Sequence, residues 1–316
     1  MKKLIFYIVD VFAIERYTGN QLAVFLNGVA EELSEQVLPL SGDQMQQLAK
    51  EINYSETTFI TSKQPHNGGY DVRIFTPQQE LPFAGHPTLG TAYVIQREII
   101  QNQVETVKLN FPVGQIPVTW CHHKDLGEVL WMAQNSPTFQ QKFDVASLAA
   151  VLNLDLYEID ARFPIQEVST GTPFIIVPLT NQEALKRIQL NKDKYIELVD
   201  TTEAKAILVF CPETYAPEND LSVRVFAEYL GIPEDPATGS ANGCLAGYLV
   251  EYSYFGEKPV DIRVEQGYEI GRPSLLLLRA ERNHNRIDVS VGGKVVLIAK
   301  GELVQQLDIL TGLKPQ

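Results

Sequence analysis

Two stretches decide the fold: FAGHPTLGTAYVI at residues 83–95 and ATGSANGCLAGYLV at 237–250. They align with His86 over Ser240, 154 positions apart. Working outward, VRIFTP at 72–77 recurs as VRVFAE at 223–228, and TGNQLAVF at 18–25 as TGTPFIIV at 170–177. FI at 59–60 faces VF at 209–210. Four matches in the same order at nearly one offset point to a duplication, with two similar halves. The two anchor stretches are apolar or small all round, and a helix of that pattern is buried on every side. Short β-branched and aromatic runs such as LIFYIVDVF, FIIVPL, AILVF and VVLIA read as strands. Strands alternating around one buried helix per half predict an α+β fold of two pseudo-repeat domains. Each would be a curled, mostly antiparallel sheet wrapped around a central helix, not a doubly wound parallel sheet.

Length agrees, since 316 residues at roughly 150 per domain favour two domains. The first half is expected to end between Cys121 and Gly127, where CHHKDLG breaks the strand pattern. That gives domains over 1–124 and 125–299, with the segment 300–316 free to return to the first half. With 45% apolar residues the chain has material for a core in each half, without metal or disulfide staples. Against 26 Lys and Arg stand 39 Asp and Glu, a net charge of −13. A field of that sign repels phosphate backbones and anionic lipid, so neither nucleic acid nor a membrane surface is an expected partner. An anionic substrate would need a local positive feature. Three scattered cysteines (Cys121, Cys211, Cys244) fit a reducing, cytoplasmic setting better than a disulfide framework. MKKLIFYIVDVF meets Asp10 after its apolar run and lacks a cleavage site, so it reads as a first strand.

The positive feature is sought at the two helix starts. Gly85 and His86 open one helix; Gly239 and Ser240 open the other, with Thr88 and Thr238 as flanking polar residues. A first helical turn leaves N–H groups unpaired and carries partial positive charge, so it holds a carboxylate or phosphate. Ordinary capping is the alternative, though glycine adds no capping strength that Ser or Thr lacks. Directed chemistry on a duplicated scaffold needs groups that break the symmetry. Glu56, in NYSETTFI, has Ile207 as its counterpart. Either it sits partly desolvated before a buried strand, with a raised pKa suited to acid/base work, or it lies in a solvated turn with Ser55 and Thr57. Asp235 is close enough in sequence to share the Ser240 site, but Asp-Pro also starts turns; Glu234 beside it reads as solvated. Only His86 among the histidines sits in a glycine-flanked helix start; His122, His123 and His284 read as solvent-facing. Metal-ligand spacing, a nucleophile elbow, a phosphate loop and a dinucleotide fingerprint are all missing. What remains is proton transfer on a small organic anion, with no metal and no cofactor.

The chain resembles the PhzF-like family, the phenazine-biosynthesis isomerase group within the diaminopimelate epimerase fold. The matching segments are VDVF and GNQLAVF, NYSETTF, VRIFTPQQELPFAGHPTLGTA, STGTPFIIVPL, LGIPEDPATGSANG, EQGYEIGRPS and VSVGGKVVLIAKGEL, spread from residue 9 to about 303. The resemblance implies an active site between two like domains, no cofactor and a homodimer. It gives Glu56 the general acid/base role. His86 and Asp235 line the substrate with Ser240, beside the Gly85 and Gly239 backbones. Asn20 is carried over from the G-N turn, although residue 21 is Gln where the family has Pro. Thr172 and Cys244 also depart from the family pattern, which bears on substrate identity. The expected function is cofactor-independent isomerisation of a small carboxylate-bearing metabolite. The alternatives are a metabolite-binding protein without turnover, and an amino-acid epimerase or racemase. The latter requires thiols at the helix starts, where this chain has His86 and Gly239 or Ser240.

Overall fold

The computed structural model describes residues 2–28 and 39–305. The first half runs β1 (Lys2–Val11), β2 (Asn20–Leu26), α1 (Gly42–Ile52), β3 (Thr57–Ile60), β4 (Tyr70–Phe75), β5 (Glu80–Leu81), α2 (Gly85–Val94), β6 (Thr106–Phe111), β7 (Gly114–His123) and β8 (Gly127–Gln134). The second runs β9 (Thr138–Phe143), α3 (Val145–Leu152), β10 (Ile165–Ser169), β11 (Pro173–Pro178), α4 (Gln182–Arg187), α5 (Lys192–Asp200), β12 (Ile207–Cys211) and β13 (Leu221–Ala227). It continues through β14 (Ile232–Asp235), α6 (Gly239–Glu251), β15 (Val260–Gln266), β16 (Ser274–Asn283), β17 (Arg286–Gly293) and β18 (Val295–Gln305).

The strands form one continuous ribbon. From β18 it passes through β1, β2, β3, β4, β6, β7 and β8, and crosses to β17 by an antiparallel pairing. From β17 it goes on through β16, β15, β13, β12, β11 and β10 to β9. The pairing repeats the sequence repeat. In the first half the parallel pairs are β2 with β3 and β4 with β6; in the second they are β11 with β12 and β13 with β15. One strand crosses to the other half, and the link from β8 to β9 carries the chain from the first half to the second. The chain leaves β8 to lay β9 beside β10, and leaves β17 to lay β18 beside β1, Val11 opposite Val295. CHHKDLG does not interrupt the sheet. Cys121 and His123 pair with Val129 and Gly127, so residue 124 falls in the turn of the β7–β8 hairpin. A strand with one face on solvent accommodates such polar residues.

Period-two alternation sorts each strand between two layers. On β2, Leu22 and Val24 face the central core around α2, while Ala23 and Phe25 join Met45 and Ala49 of α1 on the outside. On β12, Leu208 and Phe210 face α6; Ile207 and Val209 face outward under α3, α4 and α5. Outer helices are amphipathic and capped, α1 by a Ser41–Gln44 capping box. All ten residues of α2 are buried, because sheet surrounds it. Space there is tight: a Cβ on Gly90 would stand 2.6 Å from Leu22 Cδ2 and 2.9 Å from Val11 Cγ2. Gly90→Val should therefore destabilise the protein by roughly 1–3 kcal/mol, the usual penalty of overpacking, in urea unfolding. A valine tolerated without loss would mean that α2 does not sit against β1 and β2.

Candidate active site at two meeting helix starts

The first residues of α2 and α6 lie against each other. A Cβ on Gly85 would stand 3.3 Å from the Ser240 nitrogen and 3.5 Å from the Gly239 Cα. Only glycine allows this approach without displacing backbone. Neither start has a side-chain cap from its N-cap residue, Ala84 or Thr238. Thr238, a cap candidate by sequence, instead donates its hydroxyl to Asp235 Oδ2. Thr88 donates back to the Ala84 carbonyl at 2.7 Å. Neither first turn therefore has its N–H groups capped by the N-cap side chain, and the positive ends of two helix dipoles lie side by side.

Four predicted site residues converge on this point from both halves. Asn20 opens β2 and is 2% exposed; its Nδ2 donates to Asp235 Oδ1 and to the Ala237 carbonyl, both at 3.0 Å. The same Nδ2 lies 3.4 Å from His86 Nδ1. Asn20 Oδ1 accepts from Ser55 Oγ at 3.3 Å. Glu56, next in the chain, is no solvated turn residue. Its side chain is 14% exposed, and Oε2 stands 3.5 Å from His86 Nε2, itself in a side chain 6% exposed. Among the described residues neither atom has a hydrogen-bond partner. Asp235 closes β14 at 7% exposure, in the site and not in a free turn. Ser240 is half-buried at the α6 start.

Desolvation sets the charges. Burial raises the Glu56 carboxyl to about 8, and the Asp235 charge adds to the rise, against the Ser55 hydroxyl. Burial lowers the His86 imidazole to about 3, against a hydrogen bond to the Gln21 backbone. Burial lifts Asp235 to about 6, although the Thr238 and Asn20 hydrogen bonds favour its charged form. At pH 7 Glu56 is mostly protonated, His86 neutral and Asp235 mostly ionised. The Glu56–His86 contact is then a neutral acid facing an imidazole lone pair, not an ion pair.

Other expectations are corrected or placed. Glu234 is not solvated: it forms an ion pair with Arg224 at 2.7 Å, both side chains 9% exposed. The repeat gives the reason, since Arg73 makes the same bond to Glu80 in the first half, at 2.6 Å. In each half an arginine of the VR-φ-F strand anchors the hairpin that leads into the central helix. Cys244 lies in the core, its thiol pushed up to about 12 by burial and within 3.5 Å of the Thr172 carbonyl. Among the described residues no group of three or more His, Cys, Asp or Glu is placed to hold a metal ion, and no helix is long and apolar enough to cross a membrane. Sequence reasoning missed Gln266, whose Nε2 donates to the Asp235 carbonyl at 2.8 Å while Oε1 accepts from Asn242 at 2.9 Å. It also missed Gln134, which reaches from β8 to the Gly239 carbonyl at 3.0 Å. The signals for Gln266 are the matching segment EQGYEIGRPS that contains it and the glycine after it, which has φ of 80°.

The fold is that of racemase-like and PhzF-like enzymes. A PhzF-family protein from Bacillus anthracis superposes with a TM-score of 0.86 at 24% identity, covering 96% of this chain and 100% of that one. A probable proline racemase from Agrobacterium radiobacter gives a TM-score of 0.62 at 9% identity, covering 97% and 94%. Residues 9–301 match the phenazine biosynthesis-like (PhzC-PhzF) family. The trans-2,3-dihydro-3-hydroxyanthranilate isomerase of Pseudomonas aeruginosa is 32% identical over 299 residues, 94% of this chain and 98% of that one. The chain belongs to the phenazine biosynthesis-like family and is an isomerase.

The raised Glu56 pKa has a measurable consequence. Stability from the neutral carboxyl is fully present below pH 4.5, the ordinary value, and is lost as pH rises through about 8. Glu56→Gln removes that titration. The variant should match wild type near pH 5 and exceed it above pH 8, by at most roughly 5 kcal/mol at 1.36 kcal/mol per pKa unit. Denaturant unfolding at several pH values reads the difference. A constant difference across pH would show that Glu56 ionises normally.

Proposed function

We propose that the protein isomerises a small carboxylate-bearing metabolite by moving one proton between carbons, without a cofactor and with Glu56 as the acid/base. The observation that carries this reading is the Glu56 carboxyl, buried, with its Oε2 unpartnered among the described residues, and raised to about 8 beside two uncapped helix starts. The substrate carboxylate binds at the N–H groups of the two first turns. Ionised Glu56 takes a proton from carbon, and the electron pair left behind delocalises toward the carboxylate. The helix starts stabilise that charge, so deprotonation precedes reprotonation. The protonated Glu56 returns the same proton to another carbon, and the double bond shifts with no net gain or loss of atoms. Neutral His86 and ionised Asp235 orient the polar groups of the substrate, and Asn20 holds the two relative to each other.

The rival readings fare less well. A protein that only binds its metabolite has no use for an acid held neutral against its own ionisation, and perturbed carboxyls cluster where chemistry occurs. A two-thiol racemase needs reactive thiolates, whereas burial pushes both Cys211 and Cys244 up to about 12. The dihydro-hydroxyanthranilate that names the Pseudomonas relative carries a carboxylate and serves as a probe substrate.

With that probe, kcat/KM should rise about tenfold per pH unit up to about 8 and then level, because the ionised base is the active form. Glu56→Gln should lower turnover by about 10²–10⁴-fold, the usual worth of general acid/base catalysis. Turnover within a few-fold of wild type would remove Glu56 from the mechanism. Iodoacetamide should leave activity unchanged, and inactivation would revive the thiol mechanism.

A further inference from the structure

The segment from Gln266 to Arg272 joins the two sides of the cleft at once. At one end Gln266 holds the Asp235 carbonyl and, through Thr238 and Asn242, the start of α6. At the other end Arg272 reaches into the first half, to the turn between β1 and β2. Its Nη2 donates to Asp10 Oδ1 at 2.8 Å and to the Thr18 carbonyl at 2.9 Å, and its Nε donates to the Gly19 carbonyl at 3.0 Å. The Gly19 N–H donates in return to the Pro273 carbonyl at 3.0 Å. Between the two ends the chain must fold tightly. A Cβ on Gly267 would stand 2.4 Å from the Arg272 carbonyl oxygen and 2.6 Å from that of Pro236.

The turn that Arg272 grips does not hold its shape cheaply. Phe12 and Tyr17 adopt left-handed backbone with φ of 59° and 69°, and Gly19 follows at 73°. Bulky residues in that region persist only where their surroundings dictate it. Asp10, 2% exposed, needs a cation if it is to be ionised, and it fixes Tyr17 by accepting its N–H at 2.8 Å. The residue after Gly19 is Asn20, whose side chain touches Asp235, His86 and Ser55 together. We infer that Arg272 is a positioning residue for the isomerase site: its three-acceptor grip on the β1–β2 turn sets Asn20, and through Asn20 the spacing of His86 and Asp235 across the two helix starts. A guanidinium suits this task because its planar fork spans acceptors in a fixed geometry, which an ammonium does not.

The inference rests on the cleft being an anion-binding acid/base site, and the experiment separates the two claims. In the full chain, Arg272→Lys, Asn20→Ala and their combination are compared for sulfate affinity by calorimetry and for amide hydrogen exchange of residues 15–22. Arg272→Lys should weaken sulfate by about 5–150-fold, the usual range of coupling between two sites, and add nothing in the Asn20→Ala background. A merely structural arginine would give effects that multiply. Exchange across 15–22 should quicken in Arg272→Lys while the α6 amides stay protected. Multiplying effects, or unchanged exchange across 15–22, would overturn the proposal. No sulfate binding in the wild type would instead count against the anion site, leaving exchange to decide the role of Arg272. Should Arg272→Lys fail to fold, Asp10→Asn tests the same grip by the same cycle.

Discussion

Everything at the candidate site follows from a contact that two glycines permit. Gly85 and Gly239 bring the first turns of two buried helices together, and a side chain at either position would meet Ser240 backbone or the Phe12 ring. Uncapped N–H groups from both turns thus face one place, in a protein whose overall charge of −13 repels anions. The sheet exists around this contact. Each half closes around its own helix, and the β8–β17 pairing with the returning strand β18 on β1 locks the halves into a single ribbon.

Duplication supplies the symmetric parts and divergence supplies the chemistry. Arg73–Glu80 and Arg224–Glu234 are one fixture used twice. Glu56 has no such twin: Thr57 pairs with Ala23 as Ile207 pairs with Ile175, so its structural counterpart is Ala206, a buried apolar residue of the central core. Burial that is harmless for alanine raises a carboxyl toward 8, and the nearby Asp235 charge adds to it. The same dryness keeps His86 neutral, so acid and imidazole face each other without pairing as ions.

The repeat was legible because helices and strands are written in local patterning. Small residues all round α2 and α6 announce burial, and the continuous apolar runs of β2 and β12 announce a sheet covered on both faces. The site was legible as residues and not as geometry. NYSETTFI does not say whether Glu56 is wet; His86 and Asp235, from other elements, decide that. Asp-Pro reads as a turn until Asn20 arrives from the other half to bond Asp235. Glu234 looked solvated because its partner lies on the neighbouring strand β13. CHHKDLG looked like a break because exposed strand faces and loops share composition. Gln266 and Arg272 act only through tertiary contacts, so EQGYEIGRPS marks their segment without showing what either side chain holds.

The central claim, that two abutting helix starts form one anion site beside Glu56, is tested most directly by a crystal structure of the protein soaked in sulfate. The account predicts density for the anion at the first-turn N–H groups of both α2 and α6, within hydrogen-bond reach of the Glu56 carboxyl. Sulfate bound only at surface arginines or lysines, with the cleft empty at saturating concentration, would contradict it.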